Sequence, residues 1–422
     1  MKKSSILFFA SLIISSTLLA DTTTNTDANE VKLEDNESSP TTSAELDAVK
    51  AWIAAKRTVT TREKAGNLLL SGDVRTEYAT ANENKNGAKN IGPNSLHPEI
   101  SNDIFKVKFN FFLDYMAEKS WSSIKLKFDN KMGIISGTNN RIVLERAFFG
   151  LRVVDADEYT IDLELGRRNL FYVFDSRIQF ASPMDGPLIK YSESYENIGD
   201  IYVFGGPFLV NDTNDQFAYV AECGIYNIGS TGLYSKYSII DWNTKNFADN
   251  AQQSRFEFLN HQITCGYRFT APKINKSATV YGAFLINSAA KHHEAINNKI
   301  KNKGAYVGFN VGLLRKKGDF AFDTNVQYVE AQAVPDFDSI GIGIGNADNA
   351  GLYTTNINGT GAPTTNANAV GSGNFIGWQY EFQYLFTEHL TVSQSLKISK
   401  SLHDLQTQYS YKQYKIEFIY AW

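Results

Sequence analysis

Apolar side chains recur at every second position over long stretches of this chain, from Leu68 to its last residue. The clearest segment alternates Phe105, Val107, Phe109, Phe111, Leu113 and Tyr115 with Lys106, Lys108, Asn110 and Asp114. A period of two predicts β-strands with one apolar and one polar face. A soluble sandwich also alternates, but globular strands average about five or six residues, whereas a tilted strand needs about ten to cross a bilayer. The segment length therefore favours an all-β fold, a transmembrane antiparallel β-barrel.

About sixteen segments of this kind can be placed. They begin near residues 68, 105, 122, 142, 159, 186, 200, 217, 231, 258, 278, 304, 319, 375, 390 and 411. The segments near 186, 200 and 231 alternate weakly, so fourteen or eighteen strands remain alternatives. An even number would return both chain ends to the same side of the membrane.

Short and long connections alternate between these segments. Tight turns are predicted at 117–121, 155–158, 228–231, 315–319 and 387–389, and long connections at 80–104, 169–185, 243–257, 288–303 and 331–374. Barrels with short periplasmic turns and long outer loops show this rhythm. The whole barrel is predicted over residues 68–422.

The sequence before the barrel divides into three predicted parts. Residues 1–20 have the basic start, apolar run and small-residue exit of a signal peptide, and residues 21–41 form a polar, flexible leader. Residues 42–60 space their apolar side chains as a short periplasmic amphipathic helix does. The mature chain would be mildly acidic, which argues against a nucleic-acid partner.

The polar face of the predicted strands would line a water-filled pore. Its charged members are Asp73, Arg75, Glu77, Lys106, Lys108, Asp114, Lys125, Lys127, Arg146, Arg152, Asp162, Glu164 and Arg168. In connection 169–185, Asp175 and Arg177 lie among aromatic residues, a mixture that suits a loop folded into the pore near its constriction. The alternative is a surface loop whose two charges pair. The adjacent lysines favour a weak preference for anions.

Other chemistry has little support in the sequence. None of the six histidines lies in a catalytic motif, so an enzyme is not expected, and neither a cofactor nor a metal site is expected. Two cysteines, Cys223 and Cys265, cannot supply a disulfide framework. A predicted strand lies between them, and whether they pair stays open.

The C-terminal segment carries the most specific resemblance. Its aromatic and apolar face consists of Tyr414, Ile416, Phe418, Tyr420 and Trp422. It resembles the last strand of Gram-negative outer-membrane proteins, which implies recognition by the barrel assembly machinery and insertion into outer-membrane lipid. The barrel as a whole resembles the sixteen-stranded general porins. The stretches KVKFNFFLDY and GRRNLFYVFDSRIQF resemble porins of chlamydia-like bacteria.

This resemblance implies a homotrimer whose third outer loop folds into the pore. The expected function is passive diffusion of small hydrophilic solutes and ions across the outer membrane, weakly tilted to anions. Two alternatives remain: a substrate-selective channel with a basic or aromatic track in its lumen, and a surface adhesin or receptor that binds through loop 331–374.

Overall fold

Sixteen antiparallel strands form the barrel in the computed structural model of this protein. The structure describes residues 59–63, 66–89, 103–132, 142–211, 216–243, 257–292, 298–335, 338–342, 356–357, 363–364, 373–403 and 408–422. The strands are β1 Gly66–Lys85, β2 Asp103–Met116, β3 Ser120–Lys131, β4 Ile142–Asp155, β5 Tyr159–Asn169, β6 Pro183–Tyr195, β7 Gly199–Asn211, β8 Gln216–Ile228, β9 Leu233–Asp241, β10 Leu259–Ala271, β11 Lys276–Asn287, β12 Lys303–Gly312, β13 Phe320–Val329, β14 Phe375–Leu385, β15 Leu390–Ser401 and β16 Tyr409–Ala421.

Each strand pairs with its two neighbours, and the last strand closes the ring on the first. On β16, Phe418 lies opposite Val392 of β15 and opposite Thr76 of β1. Beyond the strand, the Trp422 N–H donates to the Gly72 carbonyl at 3.1 Å and the Gly72 N–H donates back at 3.3 Å. A closed ring leaves no sheet edge with unpaired backbone groups, which is the condition for strands to cross lipid.

The predicted strand map is confirmed. Every predicted start lies within three residues of an observed one, including the three that alternate weakly. The first strand is longer than predicted and continues through residues 80–85, where a short strand, Ala88–Lys89, folds back on it. The barrel therefore has sixteen strands, and the alternatives of fourteen and eighteen strands are wrong.

The two faces of the barrel differ as the alternation predicts. Phe105 and Phe109 on β2 are 54% and 37% exposed on the outside, whereas Asn110 is only 4% exposed on the inside. The apolar outer face is repeated around the ring by Phe149, Val203, Tyr219, Ile263, Val280, Val307, Val326 and Phe418. This arrangement inverts that of a water-soluble protein, which buries its apolar side chains.

Tight turns join the strands at one end of the barrel, as the sequence predicts. In the turn after β8, Asn227, Gly229, Ser230 and Gly232 all have positive φ. Glycine adopts this backbone at little cost, and asparagine tolerates it better than most residues. The Ser230 N–H donates to the Asn227 carbonyl at 2.9 Å and the Thr231 N–H donates to Ile228 at 3.1 Å, so four residues suffice to reverse the chain.

Several predictions fall outside or at the margin of the described residues. The signal peptide, the leader and residues 42–58 of the amphipathic helix lie outside them. Residues 59 and 60, the end of the predicted helix, instead belong to the short strand Val59–Glu63, which pairs with the start of β1. A short hairpin, Asn356–Ile357 with Pro363–Thr364, lies in the long connection before β14.

Cys223 and Cys265 are both free thiols on the outer face. They lie on β8 and β10 with β9 between them, and Cys265 contacts Ser235 of β9 at 3.4 Å between sulfur and oxygen. Among the described residues, no helix is long and apolar enough to span a membrane.

Candidate functional site: the lumen and its inward loop

The connection after β5 folds into the barrel. Residues Leu170–Tyr172 form one turn of 3-10 helix, and the Leu170 N–H donates to the Ser182 carbonyl at 2.9 Å, so the two ends of the loop meet. Leu170, Phe174 and Phe180 are fully buried against inward side chains of β6–β9 such as Phe204 and Phe208. The inner wall is apolar on this side, and its burial against the loop supplies the hydrophobic energy that keeps the loop inside.

Two ion pairs attach the loop to the wall behind it. Asp175 accepts from Lys236 of β9 at 3.1 Å, and Arg177 donates to Asp323 of β13 at 2.7 Å. The Arg177 guanidinium also lies 5.0 Å from the ring centroid of Tyr281. Burial opposes ionisation of Asp175, but the positive charges of Lys236 and Arg177 outweigh it and hold the pKa of this carboxyl below its usual range.

Amide side chains add a second set of attachments, all to β10. The Oε1 atom of Gln262 accepts from Ser176 at 2.8 Å and from Gln179 at 3.1 Å, and Asn260 donates to the Gln179 oxygen at 3.1 Å. These groups are buried and hydrogen-bonded to one another, so each can be removed only at the cost of an unpaired buried partner.

A second loop segment, after β13, is packed against the first. Ala331, Val334 and Ile342 are fully buried. The Asp338 carboxylate accepts from the backbone N–H groups of Phe180 and Ser182, each at 3.0 Å. Sequence reasoning placed residues 331–374 outside the barrel as a possible binding surface. Its first described segments, 331–335 and 338–342, are instead largely buried.

We expect the attachment through Asp338 to depend on pH. Burial raises the pKa of Asp338 to about 7. The folded protein therefore holds this proton more tightly than the unfolded chain does, and the stabilisation is fully present below about pH 4 and is lost as pH rises through about 7. A loop that is held less tightly fluctuates more inside the pore. Open-channel current noise should therefore increase between about pH 5 and about pH 8.

The matched variant is Asp338→Asn, which cannot ionise. It should be noisier than the parent at low pH, since its amide cannot accept from both N–H groups, but its noise should not change with pH. Retention of the parental pH profile in this variant would assign the effect to another group.

The opposite inner wall is charged. On β1, Arg75 donates to Asp73 at 2.6 Å. Lys108 of β2 lies between two carboxylates, 2.5 Å from Glu77 and 3.3 Å from Glu417 of β16. These five groups are four of the predicted lining residues together with Glu417, which was not among them.

The charges of β3–β5 form further clusters. Lys125 lies 2.5 Å from Glu145, and Arg152 lies 3.0 Å from Asp162. Glu164 accepts from Trp121 at 3.0 Å and Lys190 at 3.0 Å, and also from Arg168. Arg146 lies 3.7 Å from Asp114.

The predicted lining residues occupy the inward face of β1–β5. Lys106 and Lys127 share it too, at register positions opposite Glu77 and Asn110. Inward charges outside the predicted lining set include Lys190, Glu222, Lys236, Asp323, Lys415 and Glu417. Strand alternation would have found each of them, since each occupies a polar-face position. The described residues contain no cluster of histidine, cysteine and acidic side chains that could hold a metal ion.

These features define a sixteen-stranded antiparallel barrel with a polar lumen that is partly filled by inward loops. The chain is similar to Pseudomonas putida OprB in its high-pH structure, with 10% identity and a TM-score of 0.49 over 84% of this chain and 94% of that one. It is similar to Salmonella typhi OmpF in complex with daunomycin, with 11% identity and a TM-score of 0.49 over 86% of this chain and 100% of that one.

A triple mutant of the Rhodopseudomonas blastica porin is 12% identical, with a TM-score of 0.41 over 84% of this chain and 100% of that one. No family model and no curated protein matches this sequence. The fold assignment rests on the pairing of the strands themselves.

Proposed function

We propose that this protein is a Gram-negative outer-membrane porin that lets small hydrophilic solutes and ions diffuse passively. The observation that carries this proposal is the closed ring with apolar side chains outside and charged ones inside. Such a surface is stable only where lipid contacts the outside and water fills the inside. Because charged side chains line the lumen, a permeating ion would pass close to them.

A weak preference for anions is part of this proposal. In several lumen pairs the cation is the more exposed partner: Arg75 is 23% exposed against 0% for Asp73, and Lys415 is 30% exposed against 5% for Glu417. Lys108 and Lys190 are likewise more exposed than the carboxylates they pair with. Because the exposed member of a pair contributes most to the potential in the lumen, these pairs support an anion-attracting field. In Lys125–Glu145 and Arg146–Asp114 the carboxylate is the more exposed member, which keeps the expected preference weak.

The reversal potential of the reconstituted protein in planar bilayers tests both statements. Under a potassium chloride gradient we expect stable channels and a small reversal potential of the sign that chloride selectivity produces. The absence of ion-conducting channels would refute the porin, whereas a clear preference for potassium would refute only the anion tilt.

The proposed constriction is formed by the loop 170–182 and the charged wall of β1–β5. Tyr172 on the loop lies within 3.4 Å of Lys125 on that wall, measured between the hydroxyl oxygen and the amine. Asp175 and Arg177 contact strand residues behind the loop, so we assign them the role of fixing its position. The thirteen charged residues predicted on β1–β5 line the opposite side.

We further propose that the C-terminal strand is the assembly signal. Tyr414, Ile416, Phe418 and Tyr420 share its outer face, and the Trp422 ring stacks on Phe109 with centroids 5.8 Å apart. Deletion of Trp422 should strongly reduce folded barrel in the outer membrane, since the recognised end is lost, but reduce refolding in detergent much less. Trp422→Phe, which keeps a terminal aromatic, is the control.

Equal losses in the two assays would mean that Trp422 is needed for ring closure alone.

The homotrimer and the resemblance to porins of chlamydia-like bacteria stay predictions. Cross-linking of the membrane-embedded protein tests the homotrimer. The adhesin alternative depends on loop 331–374, of which residues 336–337, 343–355, 358–362 and 365–372 lie outside the described part of the chain.

A further inference from the structure

Three cations lie side by side on the inner wall that faces the loop. Lys125 of β3 is directly opposite Arg146 of β4 in the strand register. Ala147 is opposite Arg167, so Arg146 and Arg168 occupy the next inward positions of β4 and β5. Like charges in neighbouring cross-strand positions destabilise a sheet. A row of three therefore needs nearby negative charge.

The carboxylates present compensate this row only in part. Lys125 has Glu145 at 2.5 Å, and the Nη1 atom of Arg168 donates to Glu164. Within the described part of the chain, the salt bridge of Arg146 is with Asp114 at 3.7 Å, beyond hydrogen-bond distance. Among the described residues, Arg146 Nε and both Nε and Nη2 of Arg168 are buried and have no hydrogen-bond partner.

The free atoms of Arg168 have a recognisable geometry. Nε and Nη2 form one edge of the planar guanidinium, and their two parallel N–H groups match the two oxygens of a carboxylate or phosphate. A buried charged donor without a partner is costly, by more than an ordinary lost hydrogen bond. An oxyanion at this edge would remove that cost and the repulsion along the row.

Aromatic rings hold the cations in place. The Lys125 amine lies 5.5 Å from the ring centroid of Phe112 and 5.8 Å from that of Tyr172, which belongs to the inward loop. The Arg168 guanidinium lies 4.6 Å from the centroid of Phe148. The rings also exclude water, which strengthens attraction between the remaining charges.

We propose that the row Lys125–Arg146–Arg168 is a binding station for an oxyanion, a carboxylate or phosphate group, on its way through the lumen. Lys125 and Arg146 are 10% and 14% exposed and meet the oxyanion first, whereas Arg168, at 2%, is the most deeply buried member of the row. This inference rests on the proposed channel function. It adds a selective step to a pore that is otherwise general.

The test is the concentration dependence of single-channel conductance of the full-length protein in potassium phosphate, potassium acetate and potassium chloride. We expect conductance to saturate in phosphate or acetate and to rise steadily in chloride, and millimolar phosphate to reduce the chloride current. Saturation in both oxyanions assigns a site for either group; saturation in one alone identifies which. Arg146→Gln and Arg168→Lys should each raise the half-saturating concentration by about tenfold, since the first loses a positive charge and the second loses the planar two-donor edge.

The matched control is Arg167→Gln. Arg167 is the adjacent residue of β5, points to the outer face and pairs with Asp185 at 2.7 Å, so its loss should leave saturation unchanged. Channels that conduct chloride but show linear conductance in both oxyanions would overturn the binding station and leave the porin intact. Saturation that survives both Arg146→Gln and Arg168→Lys would also overturn it. Lack of any conductance would refute the porin itself.

Discussion

Replacement of Phe171–Ala181 by two glycines should raise single-channel conductance several-fold. The loop ends already meet at the hydrogen bond from Leu170 to Ser182, so a short link can join them without moving β5 or β6. The replaced segment includes Phe174, Ile178 and Phe180, all fully buried inside the barrel. Its removal would open this side of the lumen to water, and conductance rises with the cross-section available to ions.

The same variant should admit larger sugars in a liposome swelling assay and lose part of its anion preference, because ions would pass farther from the charged wall. A Gly-Gly replacement of Lys273–Ile274, in a turn at the opposite end of the barrel, is the control and should conduct as the parent does. Unchanged conductance in a folded loop variant would show that the narrowest point lies elsewhere.

Lys108→Gln should both destabilise the barrel and shift its ion preference toward cations. Lys108 neutralises Glu77 and Glu417, whose side chains are 6% and 5% exposed. Without it, Glu77 loses the cation at 2.5 Å, and Glu417 keeps the more distant Arg75 and Lys415, each at 3.9 Å. We expect a loss of about 1.5–3 kcal/mol in unfolding free energy, below the value for a dry interior because water in the lumen reaches the site.

The contrasting variant is Arg152→Gln. Arg152 pairs with Asp162 at 3.0 Å, but its side chain is 32% exposed, and exposed pairs contribute about 0–1 kcal/mol. Urea unfolding in lipid vesicles measures the two losses, and reversal potentials measure the two selectivity shifts. Equal effects of the two substitutions would contradict the central role given to Lys108.

Much of the fold was predictable because the two environments of a barrel strand are visible in its sequence. Lipid on one side and water on the other force a period of two, and bilayer thickness forces the segment length. Even the weak segment near 231 corresponds to a strand, β9, with Leu233 and Tyr237 outside and Lys236 and Ser238 inside. Its inward face also carries the apolar Ile240, which packs against the loop cluster and blurs the alternation.

The sequence by itself determined the strands, their faces, the end of the barrel that carries long connections and the polar lining of the lumen. Only the tertiary structure decided which charges meet and where the loops lie. Lys108 reaches Glu417 because ring closure brings the last strand beside the first, and Asp338 reaches residues 180 and 182 because two loops enter one lumen. Such contacts join residues far apart in the chain, and local periodicity carries no information about them.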